Sequence, residues 1–354
     1  MPKITVDAPD NRAPALPRVF QRYRSQIDVA LRASLEGRNV PVYDVLRYSL
    51  GWADVDGNPR DGTVGKGLRP TLCLCACEAT GGEARTALPA GVALELIHNF
   101  SLIHDDIQDR DDVRHNMPTV WALWGDSKAL VAGDTLRVIA DTALQSLVEE
   151  GVSLEQTLNV GGLLAEAYLE MIEGQYLDMA YEGRHDITIS QYLAMVSRKT
   201  GALIRCAMKI GAVIGTTDPA SIRALGDCGL SLGLVFQIRD DLLGVWGDQD
   251  AIGKPVGADI RRKKNSLPVV WAMSRATGAD KKLLAEIYDR ETLSEEDVAL
   301  VLEIMDNVKA GECTQSLAAE HCERALERLS SVEMAPESRR DIEEIAHFLL
   351  VREH

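Results

Sequence analysis

Residues 91–109 read GVALELIHNFSLIHDDIQD, an almost wholly apolar stretch that runs directly into a group of aspartates. Apolar residues lie on nearly every face of a helix with this sequence, which is typical of a helix buried at the centre of a bundle. Asp105 and Asp109 are four residues apart, so their carboxylates lie on one face of that helix. Like charges at that spacing destabilise a helix, and burial increases the cost unless a cation is present.

A second apolar stretch ends in the same way. Residues 225–241 read LGDCGLSLGLVFQIRDD and finish with the pair Asp240 and Asp241. One such pair is usually only the solvated end of a helix, but two pairs, each closing an apolar helix, indicate a shared site. Mg²⁺ binds one or two carboxylates together with water and the oxygens of a substrate phosphate. The two clusters therefore predict a site that holds several Mg²⁺ ions and one diphosphate between two helix ends.

The rest of the chain is patterned as helices. Apolar residues recur at helical spacing, as at Phe20, Tyr23 and Ile27, and alternating strand-like stretches are nearly absent. The breaks contain glycine, proline and aspartate, but none is long enough to be a linker between domains. We therefore expect one all-α domain over residues 17–354, preceded by a flexible N-terminal arm over residues 1–16.

The composition argues against several classes of protein. The 354 residues include 38 Lys and Arg against 54 Asp and Glu, which gives a net charge of −16 and a pI near 4.9 and argues against nucleic-acid binding. No run of 18 apolar residues is present, so we expect no membrane span. The N-terminal residues lack the pattern of a signal peptide, and we expect a cytoplasmic protein.

Basic residues gather in a few places despite the acidic composition. The largest group is in residues 254–264, which also contain glycines whose backbone amides are available to an anion. Its members are Lys254, Arg261, Arg262, Lys263 and Lys264. The others are Lys66 and Arg69, then Arg114, and finally Lys199 beside Thr200. Together they predict two anion pockets, one built with metal and one built directly from lysine and arginine.

These motifs, in this order, resemble those of the trans-isoprenyl diphosphate synthases, also called polyprenyl synthetases, and are most similar to bacterial geranylgeranyl diphosphate synthases. The family's first aspartate-rich motif, DDxxD, is present as DDIQD at residues 105–109, and its FQxxDD motif as FQIRDD at residues 236–241. GKxxRP appears as GKGLRP at residues 65–70, and KTGAL occupies residues 199–203. The resemblance runs from near residue 20 to the C-terminus.

The resemblance implies an all-α, single-domain helical bundle with a deep central cavity, usually a homodimer. Family members are prenyltransferases that condense an allylic diphosphate (dimethylallyl, geranyl or farnesyl) with isopentenyl diphosphate, head to tail and in trans configuration. About three Mg²⁺ ions stabilise the charge that develops on the leaving diphosphate as the allylic carbon–oxygen bond ionises. No protein nucleophile is required.

The resemblance also assigns roles to residues of this sequence. Asp105, Asp109 and Asp240 would bind Mg²⁺, and Asp106 and Asp241 would assist them. The side chains implied for the allylic diphosphate are Arg114, Lys199, Thr200, Gln237, Lys254 and Lys264, of which Lys199 also acts in catalysis. Those implied for isopentenyl diphosphate are Lys66, Arg69, His98 and His115. Gln175 and Asp178 resemble a motif that lines the same cavity, although a plain helix surface is an equally simple interpretation.

The sequence departs from the family pattern at three points, one of which is Gly67, where a basic residue is common. His115 stands where a second arginine commonly follows Arg114 and contacts isopentenyl diphosphate, and a neutral imidazole is a weaker phosphate partner. Gly244 stands where the second motif commonly ends in aspartate, which leaves Asp248 or water to complete that cluster. Two alternatives therefore stay open. One is a class I terpene cyclase or irregular coupling enzyme, and the other is a non-catalytic partner subunit, which should have lost the metal-binding aspartates.

Product length is predicted from the residues just before the first motif. Phe100 and Ser101 lie five and four residues before Asp105, and five helical residues span about 7.5 Å. Phe100 would then lie beneath the allylic chain as a floor, a pattern that resembles geranylgeranyl (C20) synthases. We expect a C20 main product, with farnesyl diphosphate (C15) as the alternative. The other interpretation of Phe100 is simple packing between helices.

Overall fold

A computed structural model of the protein describes residues 16–60, 62, 65–247 and 256–353. Its helices are α1 (Arg18–Ser34), α2 (Val42–Ser49), α3 (Leu68–Ala79), α4 (Leu88–Gln108), α5 (Val120–Trp124), α6 (Asp126–Gln145), α7 (Leu154–Tyr181), α8 (Ile189–Val196), α9 (Ala202–Gly215), α10 (Pro219–Trp246), α11 (Ala258–Arg261), α12 (Leu267–Arg275), α13 (Gly278–Tyr288), α14 (Glu295–Asn307), α15 (Ala310–Ser330) and α16 (Pro336–Val351). The shorter elements are a 3₁₀ turn (Ala84–Ala87), strands β1 (Val113–Arg114) and β2 (Met117–Pro118), and a π-helical turn (Ser197–Gly201).

The all-α prediction is confirmed. Apart from the β1–β2 hairpin and one isolated bridge between Ala53 and Pro59, the regular structure of the described residues is helical. The predicted N-terminal arm, residues 1–16, lies outside the described residues except for Leu16. The division into an arm and one domain therefore stays a prediction.

Helix α4 lies at the centre of the bundle. Every residue from Ala90 to Ile97 is buried, because α1, α3 and α6 pack around the helix. By length and composition alone, Ala84–Gln108 is apolar enough to cross a membrane, with a mean hydropathy of 1.3, and 67% of that window is buried inside the protein. The core helix of a helical bundle has the same composition, so the expected absence of a membrane span stays a prediction.

Two glycines bring long helices close to the π-helical turn. A Cβ atom at Gly174 of α7 would lie less than 3.0 Å from the backbone of Lys199, and one at Gly233 of α10 would lie less than 3.0 Å from Cα of Gly201. Only glycine permits backbones to approach this closely. The turn is therefore held between α7 and α10, which fixes the position of Lys199 and Thr200.

A smaller core packs α12, α13 and α14 against the end of α10. Val245, Leu284 and Val301 are buried within it, together with Ile260 of the short helix α11. Because Ile260 is anchored in this way, the segment that follows it is held beside the end of α10. That segment carries Lys264.

Candidate active site

The C-terminal ends of α4 and α10 bring the two acidic clusters together. Asp105 and Asp109 lie at the end of α4, and Asp240 and Asp241 lie near the end of α10. Lys264 stands between the clusters, because its charge acts on Asp109 as well as on Asp240 and Asp241. A helix C-terminus already carries negative partial charge, so carboxylates at this end are unfavourable unless cations accompany them. The structure thus assembles a cation-demanding site from two distant motifs.

The carboxyls of the first cluster hold their protons more tightly than usual. Burial raises the pKa of Asp105 to about 6, and the neighbouring Lys199 ammonium offsets only part of this effect. Burial also raises the pKa of Asp106 and that of Asp109. The charged form of each carboxyl is destabilised, and a bound cation would relieve this.

Asp106 differs from its neighbours because an arginine already binds it. Arg114 donates from Nε to Asp106 Oδ1 (2.8 Å), and its Nη2 lies 2.7 Å from the same oxygen. Arg114 reaches this position because β1 turns back into β2 through His115 (φ 50°) and Asn116 (φ 61°). Two left-handed residues in succession form the tight turn of a two-residue hairpin. His115 is exposed on that turn and lies near His98.

Asp241 is fully buried, and donors surround its carboxylate. Oδ2 accepts hydrogen bonds from the Tyr192 hydroxyl and from the Leu267 backbone N–H (2.7 Å). Oδ1 accepts from Gln237 Nε2 (3.1 Å) and from Lys264 Nζ (3.4 Å). A buried carboxylate with four donors is stable without a metal ion. Asp241 therefore ties α8 and α12 to α10.

Asp240 lies on the more open side of α10, with 39% of its side chain exposed. Its partner is Arg352, whose guanidinium pairs with Oδ1 of Asp240, donates to the Phe236 carbonyl (3.0 Å) and lies 4.1 Å from the Phe236 ring centroid. Sequence reasoning missed Arg352. It is 112 residues from Asp240 in the chain and belongs to no basic group, so no local signal pointed to it.

A group of cations lies beside the pair of Asp240 and Arg352. Burial, and then the charge of Arg352, lower the pKa of Lys66. Burial lowers the pKa of Arg69, whose Nε has no hydrogen-bond partner among the described residues. Burial and the charge of Arg69 hold the pKa of His98 well below its usual value, so this imidazole is neutral. A cluster of cations in which Arg69 Nε lacks a partner among the described residues is suited to an anion.

The π-helical turn places Lys199 and Thr200 beside the first cluster. Lys199 Nζ pairs with Asp178 of α7, and its charge also acts on Asp105. Thr200 Oγ1 donates to Gln237 Oε1 (2.9 Å) and so connects this turn to α10. Asp178 therefore belongs to the site and is not part of a plain helix surface.

Phe100 and Ser101 lie on different faces of α4. Ser101 is four residues before Asp105 and shares its face, and the Ser101 hydroxyl donates to a backbone carbonyl one turn earlier (2.8 Å). Phe100 is buried, with its ring edge-on to His104 and 4.8 Å between the ring centroids. His104 Nε2 lies 3.2 Å from the Leu130 carbonyl oxygen of α6. Phe100 is thus on the side of α4 that packs against α6.

Comparison with known proteins identifies the family. A sequence model of the polyprenyl synthetases matches residues 61–305. The chain belongs to the polyprenyl synthetase family.

Relatives of this polyprenyl synthetase match along most of its length. It is 37% identical over 316 residues to a (2E,6E)-farnesyl diphosphate synthase of Mycobacterium tuberculosis. The matched region covers 87% of this chain and 86% of the relative. It is 34% identical over 319 residues to a geranylgeranyl diphosphate synthase of the same organism, with 90% of each chain covered. A crystal structure of a polyprenyl synthetase from Streptomyces coelicolor A3(2), 36% identical, has a TM-score of 0.87 and covers 94% of this chain and 98% of that one.

The family resemblance predicted from the motifs is therefore confirmed, and the protein is a prenyltransferase of isoprenoid biosynthesis with the all-α synthase fold. The described structure brings together most of the predicted polar residues. Lys254 and Asp248, which the sequence also proposed for this polyprenyl synthetase, lie outside the described residues.

Proposed function

We propose that this polyprenyl synthetase condenses an allylic diphosphate with isopentenyl diphosphate, head to tail and in trans configuration, in a Mg²⁺-dependent reaction. The observation that carries the proposal is the proximity of two unlike sites. One is the set of carboxylates at the ends of α4 and α10, which suits a metal-bound diphosphate. The other is the group of Lys66, Arg69 and Arg352, which suits a diphosphate bound without metal. Two diphosphate substrates held side by side can react as if in one molecule.

The donor set fits Mg²⁺. Asp105, Asp109 and Asp240 offer hard oxygen ligands, and the first two have raised pKa values that a cation would lower again. Among the described residues, no three His, Cys, Asp or Glu side chains are close enough to hold an ion by themselves. Mg²⁺ usually takes few protein ligands and completes its shell with water and substrate phosphate. The metal would therefore bind together with the allylic diphosphate, and it would neutralise charge on that group.

The ammonium groups of Lys199 and Lys264 would bind the same diphosphate. Both lie among carboxylates, which raise the pKa of each lysine and keep it charged. As the allylic carbon–oxygen bond breaks, its electron pair moves to the diphosphate, and these charges stabilise the product. The apolar side chains of α4 exclude water from the allylic cation.

Lys66, Arg69 and Arg352 would hold isopentenyl diphosphate so that its double bond faces the cation. The double bond supplies the electrons of the new carbon–carbon bond, and the proton that is lost passes to the departing diphosphate. His98 is neutral and serves as a hydrogen-bond partner, not as a charge.

A product assay tests this function. Purified protein, Mg²⁺ and farnesyl diphosphate would be incubated with and without isopentenyl diphosphate, and the diphosphate and hydrocarbon fractions analysed. We expect a longer prenyl diphosphate only when isopentenyl diphosphate is present. A hydrocarbon or alcohol formed without it would instead support a terpene cyclase. A protein that is inactive alone and active only when mixed with another synthase would be a partner subunit.

We further propose geranylgeranyl diphosphate as the main product, with farnesyl diphosphate as the alternative. The two relatives from Mycobacterium tuberculosis carry these two different product names, so relatedness alone does not decide between them. The sequence pattern supports C20, because the aromatic Phe100 precedes the first motif by five residues. We expect Phe100→Ala to extend the product by one or more isoprene units, while Ser101→Phe, on the face of Asp105, shortens it. Unchanged product length in Phe100→Ala, measured by mass spectrometry, would contradict this role.

A homodimer is also proposed. Exposed apolar side chains line α6 and α7, among them Val131 (56% exposed), Val138 (56%), Leu158 (69%) and Leu169 (54%). A second copy of this face would cover them. Sedimentation equilibrium should give twice the chain mass, and Leu169→Glu should shift the protein towards monomer.

A further inference from the structure

The space beside Gly244 is filled by a side chain from a different segment of the chain, a contact that the sequence does not predict. It lies four residues after Asp240 on α10, and therefore on the same face. A Cβ atom at this position would lie less than 3.0 Å from both carboxylate oxygens of Asp259. The Asp259 carboxylate thus lies directly against the Gly244 backbone, where the family pattern carries the last aspartate of the second motif.

The backbone around Asp259 is anchored in this place. Gly257 adopts a left-handed conformation (φ 78°), and its N–H donates to the Val245 carbonyl of α10 (2.9 Å). The next turn is α11, whose Ile260 is fully buried in the smaller core. The segment is therefore fixed on both sides of Asp259, and this holds the Asp259 carboxylate beside Gly244.

Asp259 also determines where Lys264 lies. The Lys264 backbone N–H donates to the Asp259 carbonyl (3.0 Å), and Lys264 Nζ lies 3.8 Å from Asp259 Oδ2 and 3.4 Å from Asp241 Oδ1. From the same segment, Arg262 pairs with Asp111 (2.9 Å), just beyond the first cluster. The ammonium is thus held between two carboxylates at the edge of both clusters.

We propose that Asp259 is a positioning residue that replaces the aspartate missing at position 244: it enters the second cluster from the neighbouring segment and holds Lys264 towards the diphosphate. The role of Lys264 rests on the proposed function. The sequence pointed to Asp248 or water for this place, and the geometry points to Asp259. Because the carboxylate needs the space of a missing side chain, Gly244 and Asp259 form one unit.

A stability cycle tests the contact without any substrate. Gly244→Ala should lower the melting temperature of the otherwise unchanged protein by several degrees, because the new methyl group meets the Asp259 carboxylate. In an Asp259→Ala background the same substitution should leave the melting temperature unchanged or raise it, since alanine is the better helix former. Additive shifts in the double variant would overturn the contact.

A second experiment tests the positioning role. Asp259→Asn should lower kcat about tenfold, the scale of one charge-assisted hydrogen bond, with an unchanged KM for isopentenyl diphosphate. It should also weaken the Mg²⁺-dependent binding of inorganic diphosphate, measured by calorimetry. Moving the carboxylate, by Gly244→Asp combined with Asp259→Ala, should restore most of both losses, whereas Gly244→Asp alone should not improve either.

Glu295→Gln is the matched control, because Glu295 pairs with Arg261 of α11 (2.6 Å) and not with Lys264. It should leave kcat and diphosphate binding unchanged. A loss of melting temperature in Asp259→Asn without a loss of kcat or diphosphate affinity would show a merely structural role and overturn the proposal. If the unchanged protein transfers no prenyl group, the proposed function fails, while the stability cycle and the calorimetry still decide the role of Asp259.

Discussion

Two identical dipeptides, Asp105 with Asp106 and Asp240 with Asp241, end two buried helices in very different surroundings. In the first pair, the leading carboxyl is partly buried with incomplete charge compensation, and the second is bound by Arg114. In the second pair, the leading carboxyl is partly exposed to solvent and paired with an arginine, and the second is buried among four hydrogen-bond donors.

The difference teaches that the repeated motif divides into two kinds of residue. The leading aspartate of each pair faces the space between the helices, where a cation would bind. The following aspartate points into the protein and is neutralised there by side chains or backbone. This division predicts opposite effects on stability from chemically identical substitutions.

The largest expected effect is that of Asp241→Asn. The amide would turn a donor towards the Tyr192 hydroxyl, the Leu267 N–H or Lys264, and breaking such a buried charge network costs about 3–5 kcal/mol. Urea unfolding in the absence of Mg²⁺ should show this loss. Asp240→Asn is the matched control and should cost less than about 1 kcal/mol, because its carboxylate is partly exposed. Equal losses in the two variants would contradict the division of roles.

The next effect has the opposite sign. The folded protein holds the proton of Asp105 up to about pH 6, whereas the unfolded chain releases it near 3.8. Between these two pH values the folded state binds more protons than the unfolded chain. Ionisation of the Asp105 carboxyl therefore lowers the free energy of unfolding as pH rises through this window, and the loss is complete above it. Asp105→Asn should therefore raise the free energy of unfolding at pH 7.5 by about 1–2 kcal/mol, since the side chain is partly buried.

The pH dependence provides the check on Asp105. Urea unfolding in EDTA at pH 7.5 and at pH 4 should show the gain only at the higher pH. Asp106→Asn should gain less than Asp105→Asn at pH 7.5, because the Asp106 carboxylate is already paired with Arg114. A gain in Asp105→Asn that persisted at pH 4 would mean that something other than ionisation is responsible.

The smallest expected effect is that of His115→Arg, outside both pairs. Position 115 is exposed on the hairpin turn, so the free energy of unfolding should change by no more than about 0.5 kcal/mol. An added cation close to His98 should lower the KM for isopentenyl diphosphate about threefold. A large loss of stability would show instead that the hairpin, and with it Arg114, depends on histidine.

Much of the molecule could be predicted from residues close together in the chain. The apolar pattern of residues 91–109 predicted the central helix, and the spacing of Asp105 and Asp109 predicted one acidic face. The order of the motifs predicted the family, and the comparisons confirm it. These predictions succeed because helical periodicity and short motifs depend on interactions within a few residues.

Only the tertiary structure decided how the charges are paired. Arg352 reaches Asp240 across 112 residues, and Asp259 reaches Gly244 from a different helix. The sequence also treated Asp241 as a residue that assists the metal, whereas the structure buries it among four donors. Which carboxylate meets a metal, and which meets a side chain, depends on distance and burial, and only the packing of distant helices sets those.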